Sequence, residues 1–186
     1  IAVTGVACAG KTRVARKLAK LLKAKLVNLA EVIRKRKLYS RYDRSLKCYV
    51  VDVKRLRSLD SWIRELEKKH GVVIIDGLLS HYLSADLVLL LRVSPRVLEK
   101  RLRKRGYPSK KILENLLAEY CDVILAELLS MRKRFVQINA TGKKAEEIAR
   151  QVVEMLSRKK LISEQVDWLG SEAGFLEKVL KKYGKP

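Results

Sequence analysis

The sequence predicts an α/β fold, a parallel sheet with helices on both faces, and three observations predict it. Short apolar runs alternate with longer stretches of helical period, the pattern of repeated βα units. Val72 to Ile75 and Leu87 to Leu91 are apolar on consecutive positions, as strands covered on both faces are. The first apolar run ends in a glycine-bounded turn that leads directly into a helical pattern.

In chain order, strands are expected at residues 1–4, 25–28, 72–76, 86–92 and 135–138. Helical periodicity covers 11–23, 29–37, 54–69, 95–104, 109–131 and 143–158. Residues 38–52, rich in tyrosine and charge, break the βα rhythm and suit an excursion from the sheet. From Leu161 onward, with Trp168 and Phe175, the chain reads as an appended helix that either packs on the domain or meets a partner.

A length of 186 residues fits one domain with room for a small insert. No apolar run reaches the ~20 residues of a membrane span, and the opening segment lacks the basic leader of a signal peptide. Cys8, Cys48 and Cys121 match no zinc or redox spacing, the profile of a reduced, cytoplasmic protein. Forty-two Lys and Arg against twenty Asp and Glu give a net charge of +22, which favours polyanions. The basic residues are dispersed, so both a dedicated RNA surface and merely solvated helix faces fit this charge.

Gly5, Gly10, Lys11 and Thr12 match G-x-x-x-x-G-K-[ST], between an apolar strand and a helix. The glycines let backbone N–H groups turn around phosphates, and the helix N-terminus adds partial positive charge. Lys11 is placed to reach the β and γ phosphates and Thr12 to ligate Mg²⁺. Asp76 ends the run Val72-Val73-Ile74-Ile75, and in a parallel sheet it would arrive beside that loop, ordering Mg²⁺ or its waters. The alternative is an Asp capping the following turn. Arg101 and Arg105 share a helix face and suit the dispersed charge of phosphoryl transfer, or else form a solvated basic face.

Together these residues resemble, over nearly the whole chain, the atypical adenylate kinases that also act as ATPases in small ribosomal subunit maturation. This is the adenylate kinase isoenzyme six group, here in archaeal-like form. The resemblance is carried by the phosphate loop, Asn28-Leu29 with Arg34, Tyr42-Asp43, Asp76-Gly77 with Ser80-His81, and Leu91-Arg92. It continues through Arg101-Leu102, Arg105-Gly106-Tyr107, Glu114-Asn115, Ala118-Glu119, Thr141-Gly142-Lys143 and Val166-Asp167-Trp168.

The resemblance implies a P-loop nucleoside monophosphate kinase fold with a five-stranded parallel sheet. Within a single 1–186 domain it implies a monophosphate-binding region at 28–52, a short lid at 104–114 and a C-terminal appendage at 161–186. Arg34 would meet the AMP phosphate, while Arg105, joined by Arg101, would cover the ATP phosphates. Cys8, Gly10, Lys11, Thr12 and Arg13 occupy the positions that hold ATP. The implied activity is phosphoryl transfer from MgATP to AMP, with ATP hydrolysis and a partner among the small-subunit ribosomal platform proteins. The rival expectations are a nucleotide-switched assembly factor, with possible contact to ribosomal RNA, and a kinase for another small phosphorylated acceptor.

Three residues depart from the group's pattern. Cys8 stands where it usually has glycine, and Arg13 where it has a small hydroxyl residue. Leu78 stands where it has a histidine tied to hydrolysis, and leucine cannot transfer a proton. His81 lies nearby but at another position of the pattern; it is read as satisfying a local turn or as catalytic.

Overall fold

The fold is taken from a computed structural model and is described for residues 1–184. Five parallel strands form one sheet in the order β2-β5-β1-β6-β7. They are β1 (Ala2–Thr4), β2 (Lys25–Asn28), β5 (Val73–Asp76), β6 (Val88–Arg92) and β7 (Phe135–Asn139). β1 is central, flanked by β5 and β6, and all residues of these three strands are buried. Consecutive apolar residues are therefore what this part of the sheet requires.

The helices are α1 (Lys11–Leu21), α2 (Leu29–Lys35), α3 (Val53–Leu56), α4 (Asp60–His70), α5 (Pro95–Lys104), α6 (Ser109–Tyr120), α7 (Val123–Ser130), α8 (Ala145–Ser157) and α9 (Trp168–Tyr183). Amphipathic α1 buries Val14, Ala15, Leu18 and Ala19 in the core formed with β1, β6, β7 and α8. A second apolar cluster, including Leu29, Ile33, Leu56, Ile63 and Ile75, fills the space over β2 and β5.

Two expected helices are each broken. Residues 54–69 become α3, a 3₁₀ turn at Arg57–Leu59 and α4. Leu56, Leu59 and Ile63 stay buried across that join, so the apolar stripe conceals the tightening. The span 109–131 divides at Cys121–Asp122, where Asp122 adopts φ 52° and its carboxylate pairs with buried Arg92. The excursion contains an antiparallel hairpin, β3 (Arg41–Asp43) with β4 (Cys48–Val50), where Tyr39, Tyr49 and Tyr42 pack in series.

The appended segment packs on the domain. Trp168 and Val179 are buried, and α9 lies against α5 and α6. Lys182 and Tyr183 both donate to Glu99 on α5, and Ser94 to Glu172 on α9. The last two residues of the expected 161–186 appendage lie outside the described residues. No helix among the described residues is long and apolar enough to cross a membrane.

Candidate functional site

Strand order reverses around β1, so the crevice beyond its C-terminal end is the natural ligand position in such a sheet. The turn from β1 to α1 occupies that place. Gly5 is obligatory there: its φ is 137°, and a Cβ would lie 2.5 Å from the Leu91 carbonyl oxygen. Gly10, at φ 108°, precedes the first helical residue, Lys11.

Between the glycines the backbone wraps on itself. Ala9 N–H donates to Val6 O at 3.2 Å, and Arg13 and Val14 N–H both donate to Gly10 O. The N–H groups of Cys8, Gly10, Lys11 and Thr12 donate to no protein acceptor among the described residues. With the positive end of α1 behind them, they form an anion cradle. Lys11 Nζ spans the loop to Val6 O at 2.8 Å. Burial pushes its ammonium down to about 8, and Asp76 pulls against that shift.

Cys8 takes φ 63°, a left-handed conformation costing a residue with a Cβ about 1–2 kcal/mol. The side chain is accommodated by packing at the edge of the core. The Arg13 amide is engaged by Gly10 O, leaving its exposed side chain as the group free to meet a ligand.

Asp76 pairs in register with Val3, one strand over, and is 3% exposed. Its Oδ1 is buried without a hydrogen-bond partner among the described residues, and its charge is felt at Lys11. An unsatisfied buried carboxylate oxygen is costly in a finished core and expected in a site awaiting a cation or water. Gly77 lets the chain leave β5 here, since a Cβ would come within 2.8 Å of Leu29 Cβ.

Arg101 on α5 is half-buried and donates to Cys8 O at 3.3 Å. Arg105 caps the same helix, exposed, close enough for its charge to oppose the Lys11 ammonium. Lys11, Arg101, Arg105, Asp76, Cys8 and the start of α1 are thus brought together. Arg34 is on α2, exposed; its carbonyl accepts the Lys37 N–H, and its guanidinium makes no ion pair or hydrogen bond among the described residues.

His81 is 1% exposed and spans Thr4 Oγ1 at 3.0 Å and Glu127 Oε2 at 2.8 Å. Burial pushes its imidazole down while Glu127 raises it. At this burial, with its ring nitrogens held by Thr4 and Glu127, the contacts it makes are within the local structure. Leu78 is 45% exposed just beyond Asp76, and its side chain carries no group that transfers a proton.

Sequence reasoning gave no role to Asn115, whose Oδ1 accepts the Ala7 N–H at 3.0 Å, or to Glu119, which receives Arg92, Val93 and Trp168. The available signal was that Asn115 and Glu119 lie one turn apart on one face of a helix, among the apolar residues Ile112, Leu116 and Ala118.

Similar proteins agree with this geometry. Residues 1–122 match the family described as AAA domain. A protein of Methanocaldococcus jannaschii named "Putative adenylate kinase" is 36% identical over 168 residues, covering 90% of this chain and 92% of that protein. One of the same name from Methanosarcina acetivorans is 40% identical over 159 residues, covering 84% and 85%. Among solved structures, shikimate kinase from Acinetobacter baumannii superposes with a TM-score of 0.54 at 18% identity, covering 87% of this chain and 94% of that one. Deoxyadenosine kinase from M. mycoides, with bound dCTP, gives 0.52 at 18%, covering 84% and 98%. These two likenesses concern the fold alone. Identity at this level along most of both chains, with the phosphate loop inside the matched domain, means that the chain belongs to the adenylate-kinase-like family of P-loop proteins.

Proposed function

We propose that the protein transfers a phosphoryl group from MgATP to AMP. The observation that carries this reading is the turn after β1, where four unbonded amides and one lysine lie at the C-terminal edge of the sheet beside a buried carboxylate with a free oxygen. The names of the archaeal relatives support the adenylate acceptor.

In this reading the amides of Cys8, Gly10, Lys11 and Thr12 hold the ATP phosphates. Lys11 leaves Val6 O for the β and γ oxygens, and the Arg13 side chain adds an outer contact. Mg²⁺, when bound, would supply positive charge that offsets the charge of the phosphates. The Thr12 hydroxyl and Asp76 would hold it, a donor set suited to a cation that keeps waters and phosphates as its other ligands. Arg105, in the lid at 104–114, and Arg101, on α5, cover the transferring phosphoryl, while Arg34, in the acceptor region 28–52, meets the AMP phosphate. The AMP phosphate is already anionic, so positioning and charge carry the reaction without a general base. ATP hydrolysis is slower than transfer, because Leu78 cannot activate water.

Incubating the protein with ATP, Mg²⁺ and each nucleoside monophosphate, beside an acceptor-free control, tests this. Phosphorylation of AMP above the other acceptors is expected. Equal phosphorylation of another monophosphate, or phosphate release without transfer, would overturn the choice of acceptor or of reaction.

The net charge of +22 favours a second role, as a nucleotide-dependent factor in small ribosomal subunit assembly that contacts a platform protein and ribosomal RNA. A pull-down with and without ATP checks it: a nucleotide-dependent ribosomal partner is expected, and capture indifferent to nucleotide would rule it out.

A further inference from the structure

Both helices that flank the lid are hooked to the phosphate loop on either side of its left-handed residue. From α5, Arg101 Nη1 donates to Cys8 O at 3.3 Å. From α6, Asn115 Oδ1 accepts the Ala7 N–H at 3.0 Å, and Asn115 Nδ2 donates to Lys111 O at 2.8 Å, one turn back. The Asn115 side chain is therefore oriented by both partners: exchanging its oxygen and nitrogen would set donor against donor and acceptor against acceptor. It is 8% exposed, so neither bond is readily replaced by water.

Glu119, one turn further along the same helix face, is 2% exposed. Its Oε1 accepts Arg92 Nε at 2.8 Å, Val93 N–H at 3.1 Å and Trp168 Nε1 at 2.9 Å. Its carbonyl accepts Arg92 Nη2 at 3.0 Å. α6 is thus pinned to the end of β6 and to the C-terminal segment, and Asn115 projects from a fixed support.

We propose that Asn115 is a positioning residue for ATP: it holds the Ala7 peptide so that the Cys8, Gly10, Lys11 and Thr12 amides face one point before nucleotide arrives. The Glu119–Trp168 contact fixes the helix that carries it. A buried asparagine serving only the core would bond to core backbone. This one bonds to the loop itself, and the amide it takes is outside the set left free for phosphate. Without Oδ1, the loop between Gly5 and Gly10 loses its restraint on that side, and binding must then order it.

The inference rests on the reading of the loop as the ATP site, so wild type and Lys11→Ala are titrated first with MgATP. No binding by wild type defeats that reading, and Asn115 with it. Given wild-type binding, Asn115→Leu, which keeps size and helix preference, and Asn115→Ala are expected to raise the MgATP Kd about tenfold, the worth of one lost buried hydrogen bond. The KM for AMP is expected to stay within about twofold, since the acceptor region is untouched. Ile124→Val, a core change on α7 of similar modest cost and outside the lid, reports what destabilisation alone does and is expected to leave the MgATP Kd unchanged. A variant Kd equal to wild type, or an equal loss in Ile124→Val, overturns the proposal. Amide exchange on nucleotide-free wild type provides a test independent of variant folding. Ala7 is expected to be protected with and without MgATP, and Cys8, Gly10, Lys11 and Thr12 only with it. Ala7 exchanging as fast as those four without nucleotide overturns it equally.

Discussion

Lys11 carries a charge the free protein holds at a cost. Burial brings its ammonium to about 8, so in the free protein it loses its proton as pH rises through 8, whereas triphosphate oxygens favour the protonated form and raise that value. Bound protein then holds more protons than free protein above pH 8, and affinity falls as pH rises. Calorimetry in buffers of different ionisation enthalpy is expected to show proton uptake on MgATP binding at pH 9 and little from Lys11 at pH 6.5. Proton release at pH 9 would contradict this placement of Lys11. At Leu78 the expected outcome concerns the reaction. Leu78→His, exposed beside Asp76, raises ATP hydrolysis without raising transfer, as measured by phosphate release against ADP formation with AMP present. No change in either rate would show that a proton acceptor there is not what hydrolysis lacks. The glycine-bounded loop was legible in the sequence as a local pattern, and the expected arrival of Asp76 beside it agrees with the strand register, whereas Arg101 and Arg105 read equally as a solvated helix face until the fold set Arg101 against Cys8. The role of His81 was not, since its partners Thr4 and Glu127 lie 77 and 46 residues away, and only packing brings them together.

At the level of elements, α9 acts as a brace. Trp168 Nε1–H bonds a carboxylate that also holds Arg92 in the core, while Lys182 and Tyr183 grip Glu99 at the other end. Trp168→Phe keeps an aromatic side chain, removes the N–H and leaves part of the indole's space unfilled. Losing a buried hydrogen bond to a charged group is expected to cost about 2 kcal/mol, lowering Tm on the order of 5 °C in a chain of this size. An unchanged Tm would mean that Glu119 is satisfied without α9. All five sheet strands were visible as apolar runs, with ends shifted by no more than two residues. The helix breaks were not visible. At Asp122 neither glycine nor proline marks the turn, and the left-handed backbone accompanies a carboxylate that meets Arg92 thirty residues away in sequence. The hairpin was hidden for another reason: its two strands of three residues expose Arg41, Tyr42 and Tyr49, leaving no buried alternation to read.

At the scale of the whole molecule, one parallel sheet gathers the ends of β1 and β5 so that Asp76 stands beside the phosphate loop, and α5 and α6 reach over from the far side. The fold class followed from alternation of apolar runs and helical periods, whereas the coupling of α5 and α6 to the loop required the tertiary structure. If the lid region at 104–114 excludes water on closing, saturating AMP is expected to favour transfer over hydrolysis, read as the ratio of ADP to free phosphate. The most direct measurement is a calorimetric titration of MgATP into folded wild type and into Lys11→Ala. Saturable one-site binding by wild type, weakened at least about tenfold in the variant, is the predicted result. Equal binding by both, or none by wild type, would contradict the phosphate cradle itself.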